Sequence, residues 1–251
     1  MAIDLNKVER EAPELLSLVK TSQINLDKRK LSNHRARVAL MLDISGSMQG
    51  LYNSGKVHEL VKRVMPLGLQ FDDDGQIDVF AFGSNAQEIG EYGLSNYKEC
   101  VPDILRKTRF SGTRYDKALE LLLSRYKGST MPVYVMFVTD GETENKSESE
   151  RLVRELSKEQ IFLQFIGLGE DISPETQPKK AKGFFGRLTA SFTTSFEFLS
   201  KLDDLSGRAV DNANFFAIMD PTSVSDERLY ELLMNEYPQW LEAAKAKGIV
   251  R

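Results

Sequence analysis

The chain has 251 residues, 41% hydrophobic and 28% charged, which is an ordinary soluble globular profile and is ample for a sizeable core. A net charge of −4 gives no basis for a nucleic-acid surface, and a single cysteine, Cys100, excludes an intramolecular disulfide or a thiolate metal cage. No apolar run reaches the roughly 18 residues of a membrane span, and the start of the chain is charged where a secretory leader would be apolar, so a soluble cytoplasmic protein is expected.

Residues 1–36 read as an N-terminal extension. Leu5, Val8, Leu15, Leu16 and Val19 recur at approximate helical spacing, interrupted by Pro13. Residues 25–37 are basic and polar, and no aromatic side chains interleave the charges, so they are expected to form a solvated lead-in rather than a nucleic-acid arm. The apolar run 38–42 has the signature of a strand buried on both faces. A Gly/Ser loop follows, then a helix with Val57, Leu60, Val61, Val64 and Met65 on one face, which Pro66 and Gly68 are expected to kink or loosen. Asp72, Asp73, Asp74 and Gly75 make an exposed acidic turn into a strand at 77–82, and 86–89 adds an edge strand by hairpin.

Helices are predicted at 97–107 and 115–126, the strongest strand at 133–138, a charged helix at 147–158 and another apolar strand at 161–168. Residues 172–194, with Lys179, Lys180, Lys182 and Phe184-Phe185-Gly186, read as an irregular flexible insertion. A last strand near 215–219 and an amphipathic helix at 226–247, interrupted at Pro238, close the chain. Strands alternate with helices and their apolar runs are continuous. The expected fold is therefore α/β and Rossmann-like, with three layers and a mostly parallel central sheet carrying helices on both faces over 37–222. Residues 223–251 are expected to pack on that domain as a C-terminal helix.

In such sheets, ligands bind beyond the carboxyl ends of the strands. Asp43, Ser45 and Ser47 follow the first strand, Asp140 follows the strongest one, and Thr113 lies just before the helix preceding it. Two carboxylates and three hydroxyls at one edge are hard oxygen donors, the set Mg²⁺ prefers; Mn²⁺ and Ca²⁺ also accept it. The plainer account is that Asp43 and Ser47 cap one helix and Asp140 caps another.

The pattern Asp-x-Ser-x-Ser, a later Gly-Thr and a later Thr-Asp-Gly resembles the metal-ion-dependent adhesion site (MIDAS) of von Willebrand factor A (vWA) domains, over about 37–220. The stretches 42–53, 71–75, 132–141, 201–207 and 210–216, with the closing 237–241, are similar to the vWA domains of bacterial tellurium-resistance, TerF-like proteins; copine A domains resemble it more distantly. The resemblance implies that Ser45, Ser47 and Thr113 supply hydroxyl ligands, that Asp43 and Asp140 act directly or through water, and that a partner protein's carboxylate completes the shell. It further implies an interaction module rather than an enzyme, in tellurite or chemical stress, with other tellurium-resistance proteins among its candidate partners.

Other chemistries fit less well. Residues 50–56 nearly spell a phosphate-binding loop, but Val57 stands where the Mg²⁺-holding Ser or Thr belongs. A Mg²⁺-dependent phosphohydrolase would use Asp43 as nucleophile, yet Ser45 occupies the acid/base position two residues on. His34 and His58 are the only histidines, and neither serine sits in a nucleophile elbow. Cys100 reads as a small buried apolar residue.

Overall fold

The computed structural model describes residues 3–72, 75–169 and 196–250. Six strands form one sheet in the order β3-β2-β1-β4-β5-β6: β1 (Arg37–Asp43), β2 (Gln76–Phe82), β3 (Ala86–Gly93), β4 (Val133–Thr139), β5 (Ile161–Leu168) and β6 (Ala213–Ile218). All pairings are parallel except β2 with β3, a hairpin whose register shifts between Val79 and Phe80. This is the expected α/β architecture. The continuous apolar runs arise because alternate residues feed opposite layers: Val38, Leu40 and Leu42 of β1 enter one core, while Ala39 and Met41 enter the other. β4 divides the same way, Tyr134, Met136 and Val138 against Val133, Val135 and Phe137.

One layer holds α6 (Tyr115–Tyr126), α7 (Lys146–Leu156) and α8 (Glu197–Asp203), the last a short helix that the sequence reading did not predict. The opposite layer holds α1 (Leu5–Glu11), α2 (Leu16–Lys28), α4 (Lys56–Phe71), α5 (Cys100–Lys107), α9 (Asp226–Leu233) and α10 (Tyr237–Ala246). The short α3 (Gln49–Asn53) precedes α4.

Two expectations are corrected. α4 does not loosen at Pro66 and Gly68 but runs on, buried, to Phe71. Gly68 permits a close approach to the sheet, since a Cβ there would stand 2.9 Å from Ile77 Cγ2 and 3.2 Å from Val38 Cγ1. The segment 25–37 is also more than a solvated lead-in. Asn25, Leu26, Leu31 and Ala36 are buried, and Arg29 donates through Nε to the Met234 carbonyl at 3.1 Å. Arg35 reaches the Gln70 carbonyl at 2.9 Å.

At the other end, Pro238 falls in the first turn of α10, where its missing N–H costs nothing, so the predicted closing helix is two helices. Arg63, buried in α4, holds this region: its Nε lies 2.8 Å from Asp226 Oδ1, and it also donates to the Pro221 and Val224 carbonyls. Asp72 accepts from Val38 N at 3.2 Å, at the amino end of β1 and so opposite the candidate site. Asp73, Asp74 and the insertion 172–194 lie outside the described residues. Among the described residues no helix is long and apolar enough to cross a membrane.

Candidate metal centre

The sheet order places β1 beside β4, with the chain running outward to β2 and β3 on one side and to β5 and β6 on the other. Connections leave in opposite directions there and open a crevice beyond the carboxyl ends. β1 ends at Asp43 and β4 at Thr139, so the loops carrying Asp43, Ser45, Ser47 and Asp140 meet at that crevice.

Hydrogen bonds join these side chains. Ser45 Oγ lies 3.1 Å from Ser47 Oγ, and Ser47 Oγ donates to Asp140 Oδ1 at 2.9 Å. Asp43 accepts from Ser45 N at 2.6 Å through Oδ1 and from the Thr139 hydroxyl at 2.6 Å through Oδ2. Tyr115 lies beneath, its hydroxyl 2.9 Å from Thr139 Oγ1 and donating to the Gly141 carbonyl. Tyr52 donates to the Asp43 carbonyl at 3.1 Å. The supporting Thr139, Tyr115 and Tyr52 were not singled out in the sequence. Only Thr139 left a signal, as the first residue of Thr-Asp-Gly.

The third loop is strapped to the first. Ser45 and Ser111 form a parallel bridge in which Gly46 N donates to the Ser111 carbonyl at 3.0 Å and Ser111 N to the Ile44 carbonyl at 3.1 Å. Thr113 takes its place through its carbonyl, which accepts from Glu144 N and from Thr143 Oγ1, both at 3.1 Å. Its hydroxyl stays outside the hydrogen-bonded chain of the other four residues. Beside this strap, Gly83 leaves room for the Ser111 hydroxyl, which accepts from Ser84 N at 3.0 Å and which a Cβ there would overlap. Gly83→Ala is therefore expected to cost about 1–3 kcal/mol. In urea denaturation, the added Ser111→Gly should recover most of the loss.

Asp43 and Ser45 are buried, Asp140 is half-buried and Ser47 is exposed, so the group opens to solvent on the Ser47 side. Burial pushes the Asp43 carboxyl up to about 7, and the charge of Asp140 adds to the rise. Burial raises Asp140 as well. Both carboxyls thus resist ionisation, chiefly because they are buried. Among the described residues no three His, Cys, Asp or Glu side chains gather, so a cation here would draw on hydroxyls as well as carboxylates.

The helix-capping account does not describe these contacts. Neither α3 nor α7 has a side-chain cap, and their first turns follow Met48 and Asn145. The near phosphate loop is occupied by α3, and Lys56 pairs with Asp220 at 3.4 Å. His58 is exposed, while His34 Nε2 sits 2.8 Å from the Tyr237 hydroxyl; Cys100 is buried.

A family described as "vWA-TerF-like: vWA found in TerF C terminus" matches residues 35–173 and 178–250. The "Uncharacterized protein YcbR" of Bacillus subtilis (strain 168) is 33% identical over 241 residues, covering 92% of this chain and 88% of that protein. Among solved structures, BatB from Bacteroides thetaiotaomicron superposes with a TM-score of 0.52 at 15% identity, over 84% of this chain and 99% of that one. Proximal thread matrix protein 1 from the mussel byssus gives 0.54 at 15% identity, over 80% of this chain and 47% of that one, so the chain spans under half the length of that protein. At these identities the two structures speak for the fold alone.

Proposed function

The chain belongs to the vWA-TerF-like family, and from that premise we propose that it is a protein-interaction module that holds one divalent cation at Asp43, Ser45, Ser47, Thr113 and Asp140. The observation that carries this reading is the continuous run of oxygens from Ser45 through Ser47 to Asp140, beside a fully buried Asp43. Mg²⁺ fits the donor set best, with Mn²⁺ and Ca²⁺ as the alternatives. The bound ion would supply positive charge and an open coordination position for a carboxylate of the partner.

The residues divide the work. Thr139 and Ser45 N fix the Asp43 carboxylate, so its orientation is set before any ion arrives. Ser47 and Asp140 form the solvent side, where a partner can approach. Without the cation, Asp43 and Asp140 would repel an incoming carboxylate, which makes binding conditional on the metal. The phosphohydrolase alternative lacks its second acid: Ser45 stands two residues after Asp43, and its Oγ lies 3.1 Å from Ser47 Oγ. Tellurite or chemical stress in the bacterial cytoplasm, with other tellurium-resistance proteins as partners, is the setting we propose from the family.

The test is metal titration followed by partner capture. The wild-type protein is expected to take up one Mn²⁺ or Mg²⁺, to leave a generic phosphate ester intact, and to capture protein from tellurite-treated bacterial extract in Mg²⁺ only. Chelator or Asp140→Ala should abolish the capture. Equal capture under all conditions would sink the metal-bridge reading.

A further inference from the structure

Beside the candidate centre lies an open cavity of about 500 Å³ whose wall is shared with the metal loops. Ile44 and Ser111 line it, and these are the residues that strap the first loop to the third. Arg106, Lys107 and Arg109 line it too, and none of its lining residues is acidic. In a chain of net charge −4 such a cavity is a local reversal of sign.

Its cations are incompletely committed. Arg109 spends one N–H on the Thr108 carbonyl at 2.7 Å and pairs with no carboxylate among the described residues. Lys107 donates to the Ile89 carbonyl at 2.6 Å, which neutralises none of its charge. Arg106 pairs with Asp103 at 2.7 Å while its side chain stays 70% exposed. Asn85 and Gln87 also line the cavity, and side-chain amides can pair with both the N–H and the C=O of an extended peptide. A small inorganic anion has no use for that second kind of contact.

We propose that this cavity is a second anchor for the partner, taking an acidic side chain close in sequence to the one that reaches the metal. The partner segment is then an acidic peptide with at least two carboxylates, held at one end by the cation and at the other by Arg106, Lys107 and Arg109. The two-anchor arrangement rests on the metal-centre reading; the acidic-peptide cavity stands on its own lining. Two anchors on one segment raise affinity through effective concentration and set the direction in which the segment lies. They also make association fall with ionic strength.

The experiment measures binding of hexaglutamate, with a capped Gly-Glu-Gly peptide and inorganic phosphate as comparators, to wild type and to the double variant R106E/R109E in excess Mg²⁺. Both arginines are exposed, and unchanged melting curves will confirm that the variant folds. Hexaglutamate is expected to bind wild type about tenfold more tightly than the single-acid peptide, and the double variant should lose that advantage. Mn²⁺ titration should be unchanged by R106E/R109E. Equal hexaglutamate affinity in the two proteins, or none in wild type, would overturn the cavity proposal. Phosphate displacing hexaglutamate as well as the peptide does would make the cavity a small-anion site and overturn it too. A wild type that takes up no Mn²⁺ would overturn the metal centre and the two-anchor arrangement, while the hexaglutamate difference would still decide the cavity.

Discussion

Tyr237→Ala is expected to destabilise the protein by about 3–5 kcal/mol, enough to leave it marginally folded. Tyr237 is fully buried at a point where the first, middle and last parts of the chain meet. Its ring centroid lies 5.5 Å from that of His34, 5.6 Å from Phe71, 5.0 Å from Tyr134, 5.4 Å from Phe162 and 5.4 Å from Trp240. Truncation would open a cavity lined by four aromatic rings and a histidine. It would also remove the hydroxyl 2.8 Å from His34 Nε2, in an environment where burial pulls the imidazole down to about 4 and keeps it uncharged. Tyr237→Phe keeps the ring and should cost only about 1 kcal/mol, the worth of the hydrogen bond. Urea denaturation of both variants reads the difference. A loss under about 1 kcal/mol for the alanine variant would mean that residues 223–251 unfold separately from the sheet.

The second large effect concerns Asp43→Asn. In the metal-free protein Asp43 is fully buried, and its carboxyl is raised from an ordinary 3.8 to about 7. The folded state therefore binds this proton more tightly than the unfolded chain does. The corresponding stability is complete below about 4 and is lost as pH rises through about 7, a change of up to about 4 kcal/mol. Asparagine has the same shape: its Oδ1 can still accept from Ser45 N, and its amide can donate to Thr139, whose hydroxyl then turns. The metal-free Asn variant should thus melt at or above wild type at pH 8 and show a smaller decline between about 4 and 7, the remainder coming from Asp140. In Mg²⁺ at a hundred times its dissociation constant, wild type should gain about 2.7 kcal/mol, and the variant nothing. A variant that keeps the Mg²⁺-dependent gain would show that the ion is not held by Asp43.

Much of the fold was legible because strands buried on both faces leave continuous apolar runs, as at 38–42 and 133–138. The motif residues were legible because their order along the chain matched the strand ends. What local pattern missed was decided by tertiary packing. Pro66 and Gly68 are poor helix residues, yet α4 continues through them because its whole face from Val57 to Phe71 is pressed onto β1 and β2. α8 escaped notice because a seven-residue helix has too few turns to show a period, although Phe198, Leu199 and Leu202 bury it firmly. The basic residues of 25–37 looked solvated because charge alone does not reveal that Arg29 and Arg35 end on backbone carbonyls. Tyr115 and Tyr52 support the Asp43 loop from neighbouring elements, a relation that spacing in the chain does not encode.

The place of α10 also bears on how the protein is made. Phe71, Tyr134 and Phe162 belong to elements complete well before residue 237 is synthesised, and until Tyr237 and Trp240 arrive their rings lack a cover. Arg63 and Arg29 likewise wait for carbonyl partners from the last segment. A growing chain thus carries a sticky aromatic face after the sheet has emerged, and the arrival of residues 237 and 240, rather than emergence of the sheet, is the moment at which that face is covered.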